Sequence, residues 1–418
     1  MPRKTTNINL IAYSTDASMI EGTASNIIFP KSAEEISRLI KIGSKFTIRG
    51  AGTGLVGGAV PDNDIVLDIS KMNKILNLDR DKRIVEVESG VILDELNSEL
   101  GKYNLEFPVN PSSHEVCTIG GMIATNAVGS RAVKYGRTSN WIEEIEAVSG
   151  KGEIIKINKA SLLDFAGMEG ITGIITRAKL KVVEKKSRTA SLFAFDELDD
   201  IYHSVAKFKL MNSVSALEFL DKITSSIIGL EGRYHLIVEF ESDEGELKGK
   251  KYHEIMKLRD EVYPSLAKLG FTRIEDPKIF IHKFSELGEF LESGKIPYFG
   301  HLGSGIIHPV FQKNDDERIK VLMKYIKSIH GQVSGEHGIG LRKREFVEPM
   351  ERKLIQRIKK RYDPECKINC NKVIAQGKDE QEEKEKTEKT RGNERVEEAI
   401  KKIDEQEKIN QEEAKNGN

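Results

Sequence analysis

"IRGAGTGLVGGAVP", residues 48–61, carries five glycines in fourteen positions. Glycines this dense leave the backbone bare, so it can approach a ligand closely or take positive φ. Gly52, Gly54 and Gly57 match the G-x-G-x-x-G spacing of a dinucleotide site. That fingerprint needs a strand before it and a helix after it, whose N-terminus receives the pyrophosphate. "KFTIR" reads as the strand, but "GAVPDNDIVLDIS" continues as a proline turn and a second strand. The missing helix excludes a Rossmann site, and no Gly-Lys-Ser/Thr completes a Walker loop. The stretch is therefore either a glycine-rich hairpin without a ligand or an inter-strand loop whose N–H groups form an anion nest.

Two further segments favour the nest. Residues 110–136, "NPSSHEVCTIGGMIATNAVGSRAVKYG", offer small side chains, hydroxyls and backbone donors. Residues 167–182, "GMEGITGIITRAKLKV", place glycines beside an aliphatic strand that can cover a flat ring. Three separated segments of this kind imply one large, elongated cofactor.

Around them the chain alternates strands and helices. Ser32 to Glu35 reads as a capping box before a helix with Ile36, Leu39 and Ile40 on one face. "RIVEVESG" alternates as a half-exposed strand, and Leu93, Leu96 and Leu100 mark a helix. After residue 187 the texture changes. "SALEFLD", "YHLIVEFES" and a helical stretch over 250–269 predict a separate α+β unit with an antiparallel sheet. From Lys378 onward more than half the residues are charged and none is aromatic. Such a segment reads as a solvated tail, with Val396, Ile400 and Ile403 sharing one face of a short docking helix as the alternative.

The bulk composition is that of a globular chain of 418 residues with net charge −1 and 38% hydrophobic residues. No global field attracts nucleic acid or an anionic membrane, and no apolar run spans a bilayer. The start lacks the apolar core of a signal peptide, so a cytoplasmic location is expected, with peripheral membrane contact left open. Cys117, Cys366 and Cys370 build neither a disulfide framework nor a four-cysteine cluster.

The succession R-G-A-G-T-G-L-V-G-G-A-V-P, P-S-S, T-I-G-G-M-I-A-T-N-A-V-G, Y-G-R and E-G-I-T-G-I-I-T resembles the FAD-binding domain of the vanillyl-alcohol-oxidase/PCMH flavoproteins. Within them it is similar to the branch of D-lactate dehydrogenases, glycolate oxidase catalytic subunits and D-2-hydroxyglutarate dehydrogenases. The resemblance covers roughly residues 22–373. It implies an α+β fold with a two-part FAD-binding domain over 22–187, a ferredoxin-like substrate or cap domain over 188–374, and the charged tail over 375–418. It also implies that Arg49, Gly50, Ala51, Gly52, Thr53, Gly54 and Leu55 wrap the FAD pyrophosphate. Ser112, Ser113, Thr118, Gly120, Gly121, Ala124 and Asn126 would follow along the cofactor. Ile174 and Ile175 would meet the ring or ribityl chain, and Glu169, Gly173 and Asn369 would also bind the cofactor. Relatives that attach the flavin to histidine have it where Thr53 stands here, and Cys117 is one residue out of register with the cysteine of others. FAD is therefore expected to be non-covalent.

Three of the nine histidines fall in "GHLGSGIIHPV" and "GEHGIG". Two histidines and a carboxylate form a common open metal site, if the Gly303-Ser304-Gly305 turn lets them converge; structural hydrogen bonding is the plain alternative. By the resemblance, His301, His308 and Glu336 ligate a divalent metal (zinc, manganese or iron), Arg259 holds the substrate carboxylate, and His337 faces the substrate. The chain departs from the family where Gly303-Ser304-Gly305-Ile306 replaces Gly-Asp-Gly-Asn, where Met256 replaces a tryptophan, and where Asn369-Cys370-Asn371-Lys372 replaces Asn-Pro-Gly-Lys. The implied reaction is oxidation of a D-2-hydroxy acid to the 2-oxo acid. His337 takes the hydroxyl proton and the Cα hydrogen passes to flavin N5. Electrons then leave to a quinone, a cytochrome, an electron-transfer flavoprotein or an iron–sulfur subunit. Two rival readings are an alkylglycerone-phosphate-synthase-like transferase and a non-catalytic flavin subunit. The first carries a long N-terminal extension not seen here; the second tends to lack the paired histidines and the E-H-G element.

Overall fold

A computed structural model describes residues 8–375 of the chain. The tail beyond them, with Val396, Ile400 and Ile403, lies outside the described residues.

The first unit opens with a parallel three-stranded sheet in which Asp62–Asp68 lies between Thr23–Ile28 and Phe46–Arg49. The helix Ala33–Ile42 makes the crossover and buries Ile36 and Ile40. Ser32 caps it by accepting from the Glu35 N–H, but the Glu35 carboxylate takes the Lys31 N–H rather than that of Ser32. Half of the expected capping box is therefore displaced by one residue. A second sheet of five antiparallel strands follows, ordered Ile75–Asp79, Ile84–Glu88, Gly173–Lys181, Ile142–Ser149, Ile154–Asn158. Leu93, Leu96 and Leu100, one stripe of the helix Leu93–Gly101, are buried with Val85, Val87 and Ala178 of this sheet.

A second sheet-and-helix part, the second unit, begins at Thr189–Phe195 within the one compact body that runs to Ile374. Its six antiparallel strands run in the order Thr189–Phe195, Tyr234–Phe240, Val214–Leu220, Tyr298–His301, Ile306–Phe311, Arg273–Ile274. One face packs on the helices Leu198–Phe208, Phe284–Ser293 and Asp316–Ser328. The other packs on Lys250–Asp260 and Val262–Lys268, two helices where the sequence predicts one stretch. Because both faces are covered, every residue of Val214–Leu220 and Tyr234–Phe240 is buried, the polar ones included.

That burial forces charges into pairs. Glu239 accepts from Arg131 Nε at 2.8 Å, Ser215 Oγ at 2.6 Å and Tyr252 Oη at 2.7 Å. Glu241, next on the same face, takes Tyr135 Oη at 2.6 Å and Arg188 Nη2 at 2.8 Å. Arg131 and Tyr135 belong to the first unit, so this network bolts the two units together.

The chain then returns to the first unit. The helix Pro349–Tyr362 ends at Asp363, which accepts from Lys359 Nζ and from the N–H groups of Lys367 and Ile368, each at 2.9 Å. Residues 366–374 form a strap along Phe46–Arg49. Phe46 N–H donates to the Lys367 carbonyl at 2.7 Å, and Asn369 N–H donates to the Phe46 carbonyl at 2.8 Å. Cys366 and Cys370, which the sequence gives no reason to pair, form a disulfide across this strap with Cα atoms 5.4 Å apart. A local turn brings together side chains that spacing alone leaves undecided.

Burial alone would raise the Glu239 carboxyl, but the Arg131 guanidinium and its hydrogen bond outweigh this and hold it at about 2, against an ordinary value of 4.5. A carboxyl depressed on folding stabilises above its unfolded pKa and loses that contribution as pH falls through the folded one. Wild-type protein should therefore lose on the order of 3 kcal/mol between about pH 4.5 and 2 from this group. Denaturant titrations across that range should show Glu239→Gln less stable at pH 7 and flatter in acid.

Candidate active site

The bare loop 50–61 joins two neighbouring parallel strands, and no helix follows it. Gly52 and Gly57 take φ of 70° and 83°, which the loop's reversal requires. The loop lines a crevice, with Gly50, Ala51, Gly52, Thr53, Gly54 and Gly58 in its wall. Opposite stand Ser113, Thr118, Gly120, Gly121 and Ala124, with Glu169, Gly173, Ile175 and Asn369 closing the ends. The three glycine-rich segments thus converge as expected. A Cβ on Gly50 would come within 2.4 Å of Thr118 Oγ1, so the crevice is narrow because its facing residues are small.

Several expected wall residues stand off it. Strand alternation explains two: Ile48 and Ile175 face the crevice, while their neighbours Arg49 and Ile174 turn away. Arg49 donates to the Thr15 carbonyl and covers the Tyr13 ring, and Ile174 packs with Ile36 and Phe46. Leu55 packs on the second unit beside Tyr252 and Ile255. Ser112 accepts from Arg259 instead of lining the crevice. Asn126 ends the helix Ile119–Thr125 at φ 50° and accepts the Ser139 N–H. Cys117 does line the wall, and burial pushes its thiol up to about 11, leaving it a poor nucleophile.

The histidines converge on the second sheet. In the hairpin from Tyr298–His301 to Ile306–Phe311, Phe299 pairs with His308 and His301 with Ile306. His301 and His308 are then diagonal neighbours on one face, with ring centroids 5.2 Å apart. Gly305 permits the turn: its φ is 74°, and a Cβ would meet the Ile279 carbonyl oxygen at 2.3 Å. Glu336 Oε2 lies 3.4 Å from His301 Nε2 and 3.6 Å from His308 Nε2, and it has no hydrogen-bond donor among the described residues. The three potential ligand atoms lie within 4.8 Å of one another.

Both imidazoles are oriented from behind. His301 Nδ1 is 2.7 Å from Glu218 Oε1, and His308 Nδ1 is 3.3 Å from the Glu275 carbonyl. Each Nε2 therefore faces Glu336, the arrangement that holds metal-ligating histidines in one tautomer. Burial works against protonation of His301, yet Glu218 and then Glu336 outweigh it and push its pKa up to about 9. Burial, reinforced by His337 and His301, drives His308 down to about 3. His337 stacks on His308 at 5.1 Å.

The guanidinium of Arg259 is not free. Glu218 Oε2 accepts its Nε at 2.6 Å, and Asp260 and Ser112 accept Nη1 at 2.8 and 3.0 Å. Glu218 sits directly across from His301 in the sheet, so a single carboxylate serves both. The loop bearing Glu336 and His337 is fastened to the crevice as well, because Glu169 accepts the N–H groups of Ile339 and Gly340 at 2.6 and 2.9 Å. Glu218 and Asp276, which sequence patterns did not single out, organise the cluster. A charged residue in the apolar strand "SALEFLD" was the one available signal for Glu218.

Residues 24–158 match a family model described as FAD binding domain, and residues 281–373 match one described as FAD linked oxidases, C-terminal domain. The D-lactate dehydrogenase of Archaeoglobus fulgidus is 31% identical over 405 residues, 83% of this chain and 91% of that protein. The D-lactate dehydrogenase of Anaerostipes hadrus is 30% identical over 421 residues, 82% and 88% of the two chains. Glycolate oxidase subunit GlcD of Bacillus subtilis is 29% identical over 439 residues, 88% and 93%.

Thr118 Oγ1 also caps its helix by accepting the Gly121 N–H at 3.2 Å. A methyl at residue 50 must displace that hydroxyl, a disturbance of about 1 kcal/mol, or fill the crevice. Gly50→Ala should therefore fold but bind FAD about tenfold more weakly, as read by quenching of flavin fluorescence during titration.

Proposed function

From the premise that this chain belongs to the FAD-linked oxidase family that includes D-lactate dehydrogenases, we propose that it oxidises a D-2-hydroxy acid to the 2-oxo acid. The observation that carries this reading is the pairing of a glycine-walled crevice with a buried His301–His308–Glu336 cluster, whose Glu336 loop is anchored in the crevice wall. The antiparallel sheet of the second unit, taken as a ferredoxin-like cap, presents that cluster.

The crevice fits FAD. Its wall combines glycines with small and apolar side chains such as Ala124, Thr118, Ile48 and Ile175, and its one carboxylate, Glu169, is tied to backbone N–H groups. The cluster fits a divalent cation, because Glu336 Oε2 is buried without a donor among the described residues and two Nε2 atoms face it. A cation there would compete with protonation of His301, whose pKa Glu218 and Glu336 raise to about 9. When bound, FAD supplies the two-electron acceptor and the metal supplies Lewis acidity toward substrate oxygens.

The chain's own residues do the rest. His337 Nδ1 lies 3.5 Å from Asp276, which leaves Nε2 to take the hydroxyl proton. The carboxylate of the acid competes with Asp260 for Arg259 Nη1, while Glu218 keeps the guanidinium in place. Arg259 is thus a preset fork rather than a free cation. His337 would hold the hydroxyl proton, and the bound FAD would supply the acceptor for the Cα hydrogen and its electron pair. No described helix is long and apolar enough to cross a membrane.

Anaerobic mixing of holoprotein with D- and L-2-hydroxy acids tests the reading: D-acids should bleach the flavin, and bleaching by neither enantiomer refutes it. His337→Ala should stay yellow while turnover drops by about 100-fold or more. Unchanged turnover removes His337 from the reaction.

A further inference from the structure

We propose that Asp276 is the positioning residue that shapes the Glu336–His337 turn and frees both side chains for chemistry. The inference rests on the reading of His301, His308 and Glu336 as a metal site and of His337 as the base.

Asp276 is fully buried. Its Oδ2 accepts three consecutive backbone N–H groups, from Gly335 at 3.0 Å, Glu336 at 2.6 Å and His337 at 2.7 Å, and also the Ser334 hydroxyl at 3.0 Å. Successive N–H groups converging on one atom form a nest that normally receives an anion. Here the protein fills the nest with its own carboxylate. The Gly335 N–H also lies 2.8 Å from the Asp276 carbonyl, so backbone and side chain hold the same turn.

The turn's own side chains are left open. Glu336 Oε2 is a buried polar atom without a hydrogen-bond partner among the described residues, and His337 Nδ1 has only the 3.5 Å approach of Asp276 Oδ1, too long for a hydrogen bond. Such atoms are costly unless a ligand completes them. Asp276 takes up the backbone demand so that these side-chain atoms need not.

A simpler role would be as counter-ion to Lys343, whose Nζ sits against Asp276 Oδ1. The division of labour between the oxygens argues against that being all. Oδ1 faces Lys343 and, at 3.5 Å, His337 Nδ1, while Oδ2 is spent entirely on residues 334–337. Lys343 has further partners in Glu275 Oε2 at 3.3 Å and the Val333 carbonyl at 3.2 Å. Three N–H groups facing a neutral or absent partner would re-aim the turn to find others.

The experiment compares wild type, His308→Ala, Asp276→Asn and the double variant Asp276→Asn/Lys343→Met. Zinc and manganese affinity, flavin content, kcat and KM are measured on each. Asp276→Asn should keep its FAD yet lose metal affinity by about tenfold to a hundredfold, with the loss in kcat exceeding any change in KM. The double variant, which carries neither buried charge, should remain equally deficient, and it carries the test if Asp276→Asn does not accumulate as folded flavoprotein. Wild-type metal affinity and kcat in Asp276→Asn overturn the proposal. So does recovery of both in the double variant, which would reduce Asp276 to a counter-ion. A wild-type chain that takes up no more metal than His308→Ala defeats the underlying metal reading instead, and that result is visible without any Asp276 variant.

Discussion

A carboxylate taken out of water must find a cation or several donors, and this requirement organises the second unit. Its central strands are covered on both faces, yet they carry Glu218 and Glu239. Glu218 meets the demand with Arg259 on one oxygen and His301 on the other. Glu239 meets it with Arg131, which arrives from the first unit. Asp276 divides itself between Lys343 and the backbone of residues 335–337. Losing one partner of such a pair leaves an uncompensated charge, so each pairing also fixes where its neighbours point. The chemistry of the site and the joining of the two units therefore share one cause.

The same requirement separates what the chain reveals on reading from what it conceals. Bare backbone advertises itself, so the glycine loop, the 110–136 segment and Gly173 were legible as walls of one crevice. The H-x₆-H element and E-H-G were legible as candidate ligands, and the hairpin at Gly305 brings them together. Local alternation was visible in principle, but motif matching overrode it at Arg49 and Ile174, which sit beside true wall residues and face the other way. Partners remote in sequence were not legible. Glu218 reaches across to Arg259 and Asp276 to residues 335–337, and neither spacing has a periodicity to betray it. The carboxylate that neutralises Arg259 was hidden because it lies on a strand, 41 positions away from that helical arginine.

The fold was readable to a similar depth. Helices announced by Leu93, Leu96 and Leu100 or by Ile36 and Ile40 formed with those residues inside. The strap was not readable, because its pairing with Phe46–Arg49 joins residues more than three hundred positions apart, as Ile48 and Asn369 are with a separation of 321. Lys372, buried against the Val60 carbonyl, and Lys359, buried against those of Ile171 and Ile368, look like ordinary surface lysines on paper.

That strap has a consequence for biogenesis. Asn369 is part of the crevice wall, donates to the Glu169 carbonyl at 2.8 Å, and accepts the Ile48 N–H at 2.9 Å. A nascent chain emerging from the ribosome has its glycines early, but it cannot shut the crevice until this distant stretch has been translated. A complete crevice wall therefore waits on the synthesis of residue 369, because a shorter chain lacks both the Asn369 side chain and its bonds to Glu169 and Ile48.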